Sequence, residues 1–402
     1  SVVCGSNATN TADTSGGKPA KSVVMGLDST NTGESNVTIG NGAITTAEHS
    51  LKVTKVTNSA GVVTSTKTEF MDISTPDSIT TTTDASGNTT TVEVLKNQPS
   101  AAIAIGQMAK STGGYGVALG YQAHAARTWD ISIGRNAGAE QNSTQVEGRN
   151  IAIGDGALRG ATNPNNNIAM GTDAGRNMTG TANVIIGTYA NSPTANNNAA
   201  IDANNVVAIG DRALTTAGNA IAIGSRSQAT KASAVATGVN SLASGEYAVA
   251  QGSFAQATSN LSVAIGGASN ATTSARATNA FSTAVGYNSA SSGRHATALG
   301  STTTASGLGS TAVGAGASTT KTGSIAISAA TDNGATQRTI ASGDNAVAIG
   351  VSATASAANA IAQGTSANAG SSGAIAIGVR SNYQAQVTDS SGAVTTPAGV
   401  KT

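Results

Sequence analysis

Val207-Ala208-Ile209-Gly210, Ile221-Ala222-Ile223-Gly224, Val235-Ala236-Thr237-Gly238, Val249-Ala250-Gln251-Gly252 and Val263-Ala264-Ile265-Gly266 follow one another at an unbroken period of 14 residues. A fixed period marks a repeat architecture and decides the fold before any single residue does. Within each unit two larger side chains flank a small one, which is the period of two of a strand and not that of a helix. The Gly that ends each strand suits a corner needing positive φ or close backbone approach, and the Ser, Asn, Thr and Asp that follow are turn residues. Such a unit predicts two strands of about five residues and two corners, one flattened coil of a β-solenoid.

Outward from this stretch the same unit appears at Val23 to Gly26 and Val37 to Gly40, then breaks until Gly106, Gly120 and Gly134. Anchors follow at Gly154, Gly171 and Gly187 with longer spacings, and the excess residues are polar: Glu140 to Glu147, Asn163 to Asn167 and Asn191 to Asn205. Excess of this kind predicts surface loops. After Gly266 the series runs through Gly286, Gly300 and Gly314 to Ser328, which replaces the Gly, and on to Gly350, Gly364 and Gly378, giving 20 anchors from Gly26. The break from about Ile44 to Ser100 is rich in Thr, Val, Lys and Asp, with turn sequences Asn58-Ser59-Ala60-Gly61 and Asp84-Ala85-Ser86-Gly87 between alternating stretches. Both read as β-hairpins. Val387 to Thr395 resembles Val56 to Thr64, so the chain reads as stopping inside a second such insertion, with a longer parent protein expected. The expected organisation is an N-terminal segment with the first coils over 1–43, a hairpin-rich insertion over 44–100, the main run of coils over 101–382 with loops between 135 and 209, and the start of a further insertion or linker over 383–402.

Composition excludes several classes of function. Of 402 residues 49 are Gly and only 6 Pro, aromatics are 2% and charged residues 10%, against about 25% charged in an average globular domain. Lys plus Arg is 21 and Asp plus Glu 20, with no basic stripe to meet a nucleic acid. No apolar run is long enough for a membrane span, and the first residues lack a signal peptide, so an exported chain would have had it removed. The single Cys4 fits an extracellular chain that avoids free thiols. Gly-x-Ser-x-Gly, phosphate-loop, dinucleotide and calcium-repeat motifs are absent, and His49, His124 and His295 have no metal-ligand spacing and read as surface residues; no cofactor, metal or catalytic residue is expected.

Each coil offers about two large aliphatics, too little burial for a chain that gains nothing from a neighbour. The small residues of the row Ala208, Ala222, Ala236, Ala250 and Ala264 let backbones approach closely, which predicts a homo-oligomer packed through flat faces.

Ser262-Val263-Ala264-Ile265-Gly266-Gly267-Ala268-Ser269, Asn219-Ala220-Ile221-Ala222-Ile223-Gly224-Ser225-Arg226-Ser227 and Asn345-Ala346-Val347-Ala348-Ile349-Gly350 resemble the repeat of YadA-type heads of trimeric autotransporter adhesins, Asn-Ser-Val-Ala-Ile-Gly-x-x-Ser at the same period. The resemblance implies an all-β, left-handed parallel β-roll of 14-residue coils, a homotrimer, and a place at the tip of a fibre on the bacterial cell surface, anchored in the outer membrane through a C-terminal stalk and barrel. Its implied partners are collagen, fibronectin, laminin, host cells, other bacteria or abiotic surfaces. The hairpin insertion and the loops between Gly134 and Gly210 have no place in the plain repeat.

Carried residue by residue, the family's binding role falls on Ser262, Val263, Ala264, Ile265, Gly266 and Ser269, beside the architectural reading that strands and corners need these types anyway. Trp129, with Tyr121, His124, Arg127 and Arg135 nearby in sequence, is a second candidate contact, since aromatics and Arg are favoured at hot spots. The competing reading places Trp129 in a trimer contact or as a plug in a wide coil. Attachment is the expected function, and a spacer holding another domain off the surface is the alternative. An enzyme would need gathered carboxylates that no coil shows, and an ice-binding Thr rank begun by Thr297 and Thr311 is broken by Val249, Val263 and Val347.

Overall fold

The computed structural model describes residues 1–10, 22–32, 35–46, 48–60, 62–71, 78–99, 101–141, 148–192, 202–328, 337–384, 387–388, 394–396 and 399–401, and the chain divides into two compact units, Ser1–Asn205 and Val206–Thr402. The described residues are strands and turns, with no helix. Parts of the loop stretches 140–147 and 191–205, Gly61 in the first hairpin turn and the tip of the last hairpin lie outside the described residues.

In the second unit the three-residue strands stack parallel and in exact register, as in Val207↔Ile221, Ile221↔Val235, Val235↔Val249 and Val249↔Val263, and on to Ile361↔Ile375. A second parallel ladder is built from two-residue strands, as in Gln228↔Leu242 and Leu242↔Gln256. The strands of a coil are thus three and two residues long, shorter than the five the period suggests, because the two corners take the remaining residues. This is a parallel β-solenoid, one 14-residue repeat per turn.

The core is alanine. In the coil from Ala220, the residues pointing inward are Ala220, Ala222, Ser227 and Ala229, each fully buried, while Ile221 is half-buried and Ile223 exposed. Ala208, Ala222, Ala236, Ala250 and Ala264 therefore fill the inside of the coil and do not meet another chain. The two ladders of one flattened coil lie too close for anything larger, and the pleat sends the Ile and Val on either side of each Ala outward.

Gly fixes one corner by two independent constraints. Gly224 has φ of 127°, and a Cβ there would stand 2.7 Å from the Gly238 carbonyl carbon in the next coil. Ser closes the same corner, as when Ser227 Oγ donates to the Gly224 carbonyl at 2.9 Å. The coils also hold non-Gly residues in the left-handed region, Arg226 at 56° and Ser233 at 56°, each with its N–H bonded to the preceding coil: Arg226 N donates to Asp211 O at 2.8 Å and Ser233 N to Gly218 O at 3.1 Å. One inter-coil hydrogen bond at each such position offsets the strain.

The first unit begins one coil earlier than the sequence reading, with Val2–Cys4 paired to Val23–Met25 and Gly5 as its corner; Cys4 in place of Ile hides that repeat. Where Ala gives way to Asn and Thr the polar groups bond one another, although Ser111 Oγ in the same row is buried without a partner. Asn36 Nδ2 donates to Asn31 Oδ1 at 2.7 Å, Thr45 Oγ1 to the same oxygen at 2.6 Å, and Ala102 N to Asn36 Oδ1 at 2.8 Å. The stretch read as hairpins is a four-stranded antiparallel sheet in the order Val63–Met71, Glu48–Thr57, Thr89–Pro99, Ser78–Thr83. On either side of it the solenoid keeps its register, Val37 pairing with Ile103 and Ile44 with Lys110.

The longer spacings widen the interior. Leu158, Met178 and Ile185 are fully buried there, and Asn163 to Asn167 is not a surface loop: Thr162–Asn165 pairs with Thr179–Thr181, and Asn167 is fully buried. Asn150, Asn167 and Asn183 form a ladder in which each Oδ1 receives the next residue's N–H, at 3.1 Å and 3.0 Å. A side-chain amide can serve a neighbour's backbone and a carbonyl at once, which is why Asn can occupy an interior row.

Candidate functional site

Trp129 sits at a corner of the first unit with φ of 64°, its N–H donating to Gly114 O at 2.9 Å. Its ring stacks on Tyr115, centroids 6.3 Å apart and planes within 10°, and the Arg149 guanidinium lies 4.8 Å from its centroid. Sequence proximity had grouped Trp129 with Tyr121, His124 and Arg135; the coils instead bring it Tyr115 and Arg149, one coil away on each side. Arg135 bonds Asp155 at the surface.

Arg127 points inward and is 3% exposed. One of its guanidinium nitrogens donates to the Pro164 carbonyl, and its backbone N–H donates to Asp130 Oδ2 at 3.2 Å. Burial pulls the guanidinium below its ordinary value, against the charge of Asp130. Asp130 heads the asparagine ladder, its Oδ1 receiving Asn150 N at 2.9 Å and Asn150 Nδ2 at 3.0 Å. Burial pushes its carboxyl up to about 6, more than the Asn150 hydrogen bonds and the Arg127 charge recover. Arg127 thus organises a wide coil and offers no surface to a ligand.

His124 is half-buried, not a plain surface residue, and its Nε2 lies 3.1 Å from Thr112 Oγ1. Burial, helped by the charge of Lys110, lowers it to about 4. The adjoining depression, of about 180 Å³ and lined by Met108, Lys110, Gln122, His124, Asn136, Ala139 and Glu140, gathers no set of groups able to move a proton or hold a metal. Among the described residues no group of three His, Cys, Asp or Glu could hold a metal ion, and no helix is long and apolar enough to cross a membrane.

In the coil around Val263, Ser262 and Ala264 are fully buried, Ser262 Oγ donating to Ser259 O at 2.6 Å. Gly266 forms the corner at φ of 141°. Only Val263, Ile265 and Ser269 of this set face outward, Ser269 being exposed. Val263 and Ile265 belong to two outward ranks on the three-residue ladder, with Ile221, Val235, Val249 and Val347 in one and Ile223, Val285, Leu299 and Ile327 in the other; Thr283, Thr297 and Thr311 interrupt the first and Thr237, Gln251 and Gln363 the second, and Ile223 is 40% and Leu299 45% exposed.

A surface that the sequence reading passed over lies at the corner preceding those strands. Tyr247, Leu261, Phe281 and His295 occupy the same left-handed position in four successive coils, at φ of 56°, 55°, 59° and 58°. The Phe281 and His295 rings stack at 4.7 Å with planes within 10°, and Arg294 lies 5.7 Å from the Phe281 centroid. The signal was available as a column: each of these residues stands two before the first strand residue of its coil.

The YadA head domain repeat (2 copies) matches residues 101–123, 204–269, 277–327 and 341–362, the middle two ranges through overlapping windows. The range 204–269 coincides with the coils from Val207 to Val263 whose registers are described above. The matched coils are YadA head domain repeats. Among curated proteins none matches the chain. The match supports a YadA-type head of a trimeric autotransporter adhesin and accounts for a solenoid whose residues serve architecture; the insertion and the wide coils lie outside the matched ranges, as do the first coils and the one at Ile375–Ile377.

Proposed function

We propose that three copies of this head pack together and act as a rigid attachment module on a bacterial surface. The observation that carries this reading is the pair of outward Ile, Val and Leu ranks on the three-residue ladder. An alanine core leaves at least one larger apolar side chain of each regular coil half in water, and the strip they form, interrupted by Thr237, Gln251, Thr283, Thr297, Thr311 and Gln363, is of a kind that monomeric proteins rarely expose. Packing it against two other copies removes it from water, and the repeat supports the arrangement because the coils present their outward pairs in one register. Attachment to collagen, fibronectin, laminin, host cells or abiotic surfaces then works by avidity, many weak contacts presented by three chains. Val263, Ile265, Ser269 and Trp129 remain the residues proposed to reach a ligand or a neighbouring copy.

Light scattering on the purified chain tests the assembly. Three chain masses are expected for the wild type, and charged replacements Ile223→Asp with Leu299→Asp are expected to dissociate it. A monodisperse, folded wild-type monomer would sink the proposal. Solid-phase binding of the assembled protein to matrix-coated and uncoated plastic tests attachment, and retention on no surface overturns that part.

A further inference from the structure

The aromatic column at the corner of the second unit is interrupted. After Tyr247, Leu261, Phe281 and His295, the next coil has Gly309 in the same left-handed position, at φ of 62°, where a Cβ would meet nothing within 4 Å. Backbone bonds hold the column in register across the gap, His295 N donating to Ala280 O at 3.1 Å and Gly309 N to Arg294 O at 2.9 Å. One face of the His295 ring is covered by Phe281; on its other side the Gly309 coil contributes no side chain. Gly323, at φ of 64°, holds the same position in the coil after that, so the result is a step two coils high, with the His295 ring as one wall, Asn345 as the other and the exposed Leu308 beside it.

The charges around the step are of one sign. Arg294 is held beside the ring stack, and the next coil brings Lys321 against Gly307, whose Cβ would lie 1.9 Å from Lys321 O. Arg294, His295 and Lys321 are all exposed, and among the described residues neither Arg294 nor Lys321 joins an ion pair. Asp344, whose Oδ1 accepts from Thr322 N at 3.2 Å, ends the basic stretch one coil further on.

We infer that this step seats a sugar ring of an acidic polysaccharide, the ring packed on the open face of His295 and its carboxylates paired with Arg294 and Lys321. The negative face of an aromatic ring favours the weakly positive C–H groups of a sugar, and Arg pairs with carboxylate in a fixed, two-pronged geometry. A polymer suits the site because the column continues along the coils from His295 to Phe281, Leu261 and Tyr247, so an extended chain seated at the step meets the edge of a second ring and the apolar side chains beyond it. The inference rests on the attachment reading and names a ligand class for it.

The test is binding of full-length protein to immobilised polygalacturonate, with neutral dextran beside it. Wild type is expected to bind polygalacturonate and not dextran. Gly309→Phe fills the step with a ring; the same position carries Phe281 at φ of 59°, so the coil accepts it, and affinity is expected to fall more than about tenfold. Arg294→Gln, which leaves the step open, is expected to lose about as much, and Arg226→Gln, at the other corner, to stay within about twofold. No binding by wild type, undiminished binding by Gly309→Phe, or an equal loss in Arg226→Gln overturns the inference. Retention on matrix proteins or plastic without binding to polygalacturonate would overturn this ligand class alone and leave attachment standing.

Discussion

At the scale of single residues the two kinds of Gly in this head behave differently. Gly224→Ala places a side chain where φ of 127° disfavours it and where Gly238 leaves only 2.7 Å; the conformation alone costs about 1–3 kcal/mol, and the overlap with backbone adds to it. Gly373→Asn, at φ of 69° with nothing within 4 Å of its Cβ, puts Asn where Asn345 and Asn359 already sit at φ of 55° and 58°, and is expected to change stability by less than about 0.5 kcal/mol. Urea unfolding of the two variants checks the contrast. Asp130 and His124 make a second prediction. Asp130, raised to about 6, holds a proton in the fold that the unfolded chain has lost, so it adds stability as pH falls from 6 towards 4. His124, lowered to about 4, stays neutral where the unfolded chain takes a proton, so it removes stability over pH 6.5 to 4. The two oppose one another in one unit. Asp130→Asn should make acid destabilisation steeper and His124→Asn should make it shallower, read as the change in urea midpoint between pH 7 and pH 5; identical slopes in both variants would refute it. The corner Gly was legible from sequence because both constraints favour it in nearly every coil, Ser328 being an exception that does not take the positive φ. The left-handed Arg226, Tyr247 and Phe281 were not, since their side chains carry no mark of backbone shape and the stabilising bond comes from the neighbouring coil.

At the scale of elements the antiparallel sheet over Glu48–Pro99 leaves a solenoid that keeps its register: Val37 meets Ile103 and Ile44 meets Lys110. Replacing residues 48–99 by a short Gly-Ser link should therefore preserve the remaining coils, because loop-closure cost varies only slowly with length. Circular dichroism is expected to keep its β signal, with the thermal midpoint of the remainder within a few degrees; loss of cooperative unfolding would show that the sheet supports the coils. The hairpins were readable because their turns carry their own chemistry. Asn58 Oδ1 accepts from Ala60 N and Val62 N, and Asp84 Oδ1 from Ser86 N and Asn88 N, the same side-chain-to-backbone turn twice. The wide coils were misread for the opposite reason. Asn is ordinarily a surface residue, and only the stacking of Asn150, Asn167 and Asn183 in register turns a polar stretch into an interior one.

At the scale of the whole molecule, period and composition were sufficient for the fold class, whereas the assignment of faces had to come from the structure. Reading Val-Ala-Ile as large-small-large is correct as a strand, yet it leaves open which side is inside, and Ala208 and Ala222 answer it by being enclosed. The same enclosure governs how the head meets temperature. Curvature of the stability curve comes from apolar surface hydrated on unfolding, about 12–15 cal/mol/K per residue in ordinary globular domains, and an interior of methyl groups withholds most of that surface. Scanning calorimetry of wild type beside the dissociating Ile223→Asp, Leu299→Asp variant should give a heat-capacity increment per residue below that range for the variant. A head built on alanine would then lose little of its firmness between cold and warm surroundings.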